Sequence, residues 1–96
     1  MYIDLVLCKQ RNGQFLFYAP AWSHLEEGTD VELDTKYGVQ RGEVLKSVTV
    51  EQGSKEFDFV IMATNATLPL KRVLAYYTKH EIVYKEVLNG SDNDTE

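Results

Sequence analysis

Two histidines, one cysteine and a run of carboxylates are the residues here with acid–base, nucleophilic or metal chemistry to offer, and their spacing builds none of those sites. His24 follows Ser23, but sequence neighbours are not a nucleophile–base pair, which needs an aligned hydrogen bond and a third orienting group. His80 stands alone. Cys8 lies beside Val6 and Leu7 in an apolar run, the setting of a buried, inert thiol rather than a nucleophile. Glu26, Glu27, Asp30, Glu32 and Asp34 make an acid-rich stretch, yet a period of two places Asp30, Glu32 and Asp34 along one strand face. A hard cation needs oxygens converging from a curved loop. The stretch reads as a solvated face that resists edge-to-edge pairing. Gly38 and Gly42 frame no phosphate loop, because no lysine and no helix follow at the required spacing. Asn65, Ala66 and Thr67 form a chance glycosylation sequon. The expectation is a non-enzymatic chain with no cofactor and no metal.

Recognition chemistry is better represented. Tyr18, Trp22 and Tyr37 border the loops around residues 25–48, with Arg41 nearby. Aromatics on the loops at one end of a small barrel make a platform for a peptide or a base. The alternative is that Trp22 plugs the barrel end with Tyr37 beside it. Lys71 and Arg72, with Lys79 and His80, form a modest basic set that also reads as a solvated helix face.

The bulk properties set limits on these candidates. The 96 residues make one domain with one modest core, since a chain this short buries roughly 60–65% of its unfolded surface. Eleven aromatics (four Phe, six Tyr, one Trp) favour a β-rich core. Net charge is −5, and three of the acids (Asp92, Asp94, Glu96) lie in the tail 89–96, which has no cation, leaving about −2 for the rest. That balance argues against broad phosphate neutralisation. A single cysteine excludes an intrachain disulfide and a thiolate zinc site. The first residues lack a basic region and a long apolar run, and no segment approaches the ~20 apolar residues of a membrane span. The chain reads as cytoplasmic, without membrane contact.

The elements that position these residues follow from periodicity. Residues 2–9 alternate as a strand, with Ile3, Leu5 and Leu7 opposite Tyr2, Asp4, Val6 and Cys8. Asn12 and Gly13 signal a hairpin whose two central residues take positive φ, and a second strand runs to Pro20. Ser23 and Glu26 stand at capping-box spacing, so residues 20–28 are one helical turn or an irregular loop. Val31, Leu33 and Thr35 alternate with acids in a third strand. Tyr37 and Gly38 turn it, and residues 39–50 form a long fourth strand bent at Gly42, with Val44, Val48 and Val50 on one face. Residues 55–64 read as a strand, with Phe57, Phe59 and Ile61 on one side. Leu70, Val73, Leu74 and Tyr77 fit i, i+3, i+4, i+7, which places a short helix near residues 68–79, although KRVLAYYT also suits an extended chain. Residues 81–88 are the last strand. One domain over residues 1–88 and a disordered acidic tail over 89–96 complete the organisation.

The frame Gly28, Val31, Leu33, Thr35, Gly38, Gly42 and Val44, behind the strand ending at Pro20, resembles the start of the YaaT-type bacterial regulatory proteins. More distantly it is similar to the N-terminal DNA-binding domain of the primosomal helicase. Both open a small barrel with a phrase of the type Gly-Asp-x-Val-x-Val-x-Thr-x-x-Gly-x-x-x-Gly-x-Val. Thr29 and Asp30 depart from its direct Gly-Asp pair by one insertion, and the likeness covers residues 5–48. The resemblance implies an SH3-like barrel. In size and form the chain also looks like proteins of phages and other mobile elements. The expected fold is a mostly β, SH3-like barrel of about six short strands. The expected function is a small binding or adaptor module for a protein partner, through Tyr18, Trp22, Tyr37 and Arg41. The alternative, which the primosomal likeness implies, is a nucleic-acid-binding accessory protein using Lys71, Arg72 and Lys79.

Overall fold

The computed structural model describes residues 1–77, 85 and 86. It is a mostly β domain: six strands, β1 (Tyr2–Gln10), β2 (Gly13–Pro20), β3 (Asp30–Thr35), β4 (Gly38–Glu51), β5 (Lys71–Tyr77) and β6 (Lys85–Glu86), and one helix, α1 (Lys55–Thr64), among the described residues. The order is β2-β1-β4-β3-β5-β6, and a parallel pairing of β2 with β5 closes the first five strands into a barrel. The two hairpins, β1–β2 and β3–β4, lie side by side through β1 and β4. β5 fills the remaining wall between β3 and β2. Of the strand expected over residues 81–88, Lys85 and Glu86 pair with β5, and the rest lies outside the described residues, as do Lys79, His80 and the tail.

The alternation read in β1 sets the core. Val6 and Cys8 face the barrel interior with Phe17, Leu25, Val31, Leu33, Val44 and Val73. Ile3 and Leu5 face outward, where Leu16, Val50, Phe57, Val60, Ile61, Ala66 and Leu70 cover them. The single core expected from chain length is therefore corrected to two apolar clusters sharing β1 as their common wall.

The helix is also relocated. Residues 55–64, expected as a strand, form α1, and residues 68–79, expected to be helical, contain β5. The Ser54 side chain caps α1 by accepting the Phe57 N–H, Glu56 and Asp58 favour its positive end, and Asn65 ends it in the left-handed region. Phe57, Val60 and Ile61 then recur at i, i+3, i+4 and pack on the outer cluster. In β5 the β-branched and aromatic side chains fit a pleated surface, and Leu74 is the unpaired residue of a register shift: Glu32 faces Ala75 and Leu33 faces Val73. An equivalent shift leaves Leu45 unpaired in β4, between the pairs Leu7–Lys46 and Cys8–Val44. It rotates the two halves of β4 relative to one another, so Val44 lines the barrel while Val50 joins the outer cluster, correcting the shared face expected for the valines.

Both hairpins close on two residues with the positive φ at the following glycine, Gly13 (143°) and Gly38 (101°). Arg11 and Asn12 are outside the positive-φ region, which corrects the mirror-image turn expected for Asn12 and Gly13. At Gly42 the expected bend has a steric cause: an added Cβ would lie 2.7 Å from Leu33 Cδ1 and 3.0 Å from the Lys9 carbonyl oxygen.

Candidate functional site

The four aromatic and basic candidates do not form one platform. Trp22 lies at the end of the barrel where β1 begins, its ring 5.4 Å from that of Tyr2. Tyr37 lies at the other end, on the β3–β4 turn, lining a groove with Gln10 and Asn12. The eight residue steps of β1 from Tyr2 to Gln10 span roughly 26 Å. Tyr18 is half-buried and packs against the outer apolar cluster. Arg41 lies over the Tyr77 ring, 4.5 Å from its centroid, opposite Glu32 across the β3–β4 pair. Glu32 in turn accepts the Tyr77 hydroxyl hydrogen bond at 2.6 Å.

At the Trp22 end, residues 21–28 are an irregular loop, one of the two alternatives left open by the sequence, and the Ser23 hydroxyl bonds to Asp4 instead of forming a capping box. The loop is held by Asp4, which is 2% exposed. Asp4 Oδ1 accepts the Trp22 N–H at 3.0 Å and the Thr49 hydroxyl, while Oδ2 accepts the Ser23 N–H at 3.0 Å and the Ser23 hydroxyl at 2.8 Å. This disposes of any Ser23–His24 pair: the hydroxyl is committed to Asp4, and His24 is exposed. Trp22 and His24 both take left-handed backbone, with φ 59° and 57°. Leu25, not Trp22, plugs the barrel, since Leu25 joins the interior cluster and Trp22 is 60% exposed.

At the opposite end an open groove of about 660 Å³ lies between the β1–β2 turn, the β3–β4 turn and residues 64–71. Its floor is Phe15 and Phe17 at the barrel mouth, and Tyr37, 71% exposed, stands on its rim. Five amide side chains line it, Gln10, Asn12, Gln14, Gln40 and Asn65, and Gln10 donates to Gln40 at 3.0 Å. The charged side chains on its described walls are Lys36 and Lys71, with no carboxylate among them. Lys36 Nζ is 5.2 Å from the Tyr37 ring centroid.

The basic set read on a helix is changed by the strand. Lys71 lines the groove, whereas Arg72 is not among the groove residues and points from β5 to the opposite side, as successive strand residues do. The carboxylates of β3 face away from the interior, where Val31 and Leu33 are fully buried. β3 pairs on both sides over residues 30–33, so Asp30 and Glu32 do not guard a free edge. No group of His, Cys, Asp or Glu among the described residues is placed to hold a metal ion. Cys8 is buried, and desolvation pushes its thiol pKa up to about 12. No helix among the described residues is long and apolar enough to cross a membrane.

The groove amides are the residues sequence reasoning missed. Their signal was available: Gln10, Asn12 and Gln14 flank the one confidently legible turn, in a chain rich in carboxylates elsewhere. No family model, no curated protein and no solved structure matches the chain.

Proposed function

We propose that this protein is a non-catalytic binding module whose groove at the hairpin-turn end receives an extended polypeptide segment. One observation carries the reading: in an acidic chain, five amides, three aromatics and two lysines converge on one groove whose described walls hold no carboxylate. Side-chain amides donate and accept, which suits them to peptide groups, and aromatic surface supplies apolar contact area beside them. Tyr37, one of the expected contact residues, belongs to this site. Trp22 belongs to a separate aromatic surface at the other end.

The test is selection of a displayed random dodecapeptide library on the immobilised full chain, followed by NMR mapping of the retained peptides. Peptides that perturb Gln14, Phe15 and Tyr37, and that lose at least tenfold in affinity to Phe15→Ala or Tyr37→Ala, support the reading. Retained peptides that map elsewhere, or that bind both variants equally, overturn it.

A second reading draws on the same lysines and aromatics. Single-stranded nucleic acid binds small barrels by stacking bases on aromatic side chains beside cations, and the primosomal likeness of residues 5–48 points the same way. Titration with oligothymidylate at low and moderate salt separates the two. Binding that weakens steeply with salt and with Lys71→Ala favours nucleic acid, and its absence at low salt removes that reading.

A further inference from the structure

The groove coincides with a gap in the barrel wall. β5 closes the barrel against β2 at two positions, Phe17–Lys71 and Tyr18–Arg72. Residues 13–16 of β2 pair with β1 on one side, and no described strand pairs with them on the other. On the β3 side the register Leu33–Val73 sets Asp34 and Thr35 beside Arg72 and Lys71, so the β3–β4 turn residues Lys36 and Tyr37 lie across the gap from residues 13–16. β5 fills the wall from Lys71 onward, and no described strand continues it beside residues 13–16. The chain enters β5 from outside the wall, with Ala66 and Leu70 packed against the outer cluster that contains Leu16. One strand edge, residues 13–16 of β2, therefore faces the gap, above a floor of Phe15 and Phe17.

Building on the peptide-binding reading, we propose that the occupant is an acidic, extended segment of another protein. It inserts as a strand in line with β5 and parallel to β2. Strand addition satisfies the free backbone groups of the β2 edge, and alternate side chains then face the barrel mouth and solvent. The acidic character follows from charge complementarity: Lys36 and Lys71 both line the groove, and no carboxylate is among its described lining residues. A basic segment would meet both cations unscreened.

The probe is a blocked nonapeptide, Thr-Glu-Val-Glu-Val-Glu-Val-Glu-Thr, titrated into the ¹⁵N-labelled full chain. Two controls are the same peptide N-methylated at alternate residues and its Lys-for-Glu counterpart. The expected result is chemical-shift change and slowed amide exchange at residues 13–17, with chemical-shift change at Lys36 and Tyr37. Affinity falls at least tenfold on N-methylation, for the lysine peptide, and in the Lys36→Glu/Lys71→Glu variant. Equal binding of the N-methylated peptide overturns strand insertion, and equal binding of the lysine peptide overturns the acidic occupant. Shifts that appear only after residues 89–96 are removed assign the gap to the chain's own acidic tail and overturn the partner. Library peptides that map to the groove without N-methylation or charge sensitivity defeat this inference while leaving the binding module standing. Failure of every peptide to reach the groove defeats both.

Discussion

Ser23 is fastened to Asp4 twice, its N–H and its hydroxyl both donating to the same carboxylate oxygen at 3.0 and 2.8 Å. With the Trp22 N–H and the Thr49 hydroxyl on the other oxygen, one buried carboxylate organises an entire barrel end. Asp4→Ala is expected to destabilise the fold by about 3 kcal/mol, because it leaves buried donors without an acceptor. Ser23→Ala removes one hydroxyl donor and is expected to cost about 1 kcal/mol. Urea unfolding of the two variants checks the ranking. Equal midpoints would show that the loop is not held through Asp4.

The backbone of that loop gives a prediction of opposite sign. Trp22 and His24 sit at φ 59° and 57°, where a side chain costs roughly 1–2 kcal/mol. His24 is exposed. His24→Gly should therefore raise stability by about 0.5–1 kcal/mol after glycine's own unfolded-state entropy is counted. A lowered thermal midpoint would contradict this.

Gly42 is required by close approach. A Cβ there meets Leu33 Cδ1 at 2.7 Å, and Leu33 is fully buried and cannot yield. Gly42→Ala is expected to cost about 2 kcal/mol through overpacking. Leu33→Val removes the clashing methyl, so a double-mutant cycle should show that the alanine costs less in the valine background. Strict additivity would place the cause at the Lys9 carbonyl instead.

The Cys8 thiol, with its pKa pushed up to about 12 by burial from an ordinary 9.0, links stability to alkaline pH. Below pH 9 the thiol is protonated in both states and stability does not depend on it. From about 9 to 12 the unfolded chain releases the proton while the native state keeps it, so this contribution falls with rising pH, by up to about 1.4 kcal/mol per unit. Cys8→Ala should flatten that arm of the stability–pH curve. In the native wild type, modification by a thiol reagent should proceed only as fast as the protein opens.

The strands with one dominant signal were readable from residue order alone. In β1 and β3 the alternation of Val6, Cys8, Val31 and Leu33 is unbroken, and all four are buried as their period requires. Misreading began where two periods overlap. Phe57, Val60 and Ile61 satisfy a helical spacing, yet Phe57, Phe59 and Ile61 satisfy a strand spacing equally well, and only the cap at Ser54 and the terminus at Asn65 decide between them. In β5 the unpaired Leu74 interrupts the alternation, which left Val73 and Tyr77 looking helical. Bulges are invisible in a single sequence because they are set by the partner strand. The aromatic candidates separated for a related reason: Trp22 and Tyr37 are neighbours of the same stretch in sequence, but β3 carries the chain from one barrel end to the other. The groove amides carried no hydrophobic period, and their one signal was the position of Gln10, Asn12 and Gln14 at and beside the β1–β2 turn.

The use of β1 as a wall for two clusters bears on how the chain is made. A ribosome delivers β1 and β2 first, and this hairpin then presents apolar side chains from both its faces with nothing to cover them. Its partner Val50, opposite Ile3, emerges only near the end of β4, and the helix that shields Leu5 emerges after that. Pairings this distant in sequence slow folding, and uncovered strand edges in the interval favour association between nascent chains. The N-terminal hairpin is therefore the segment through which synthesis rate and chaperone capture would govern the yield of folded protein.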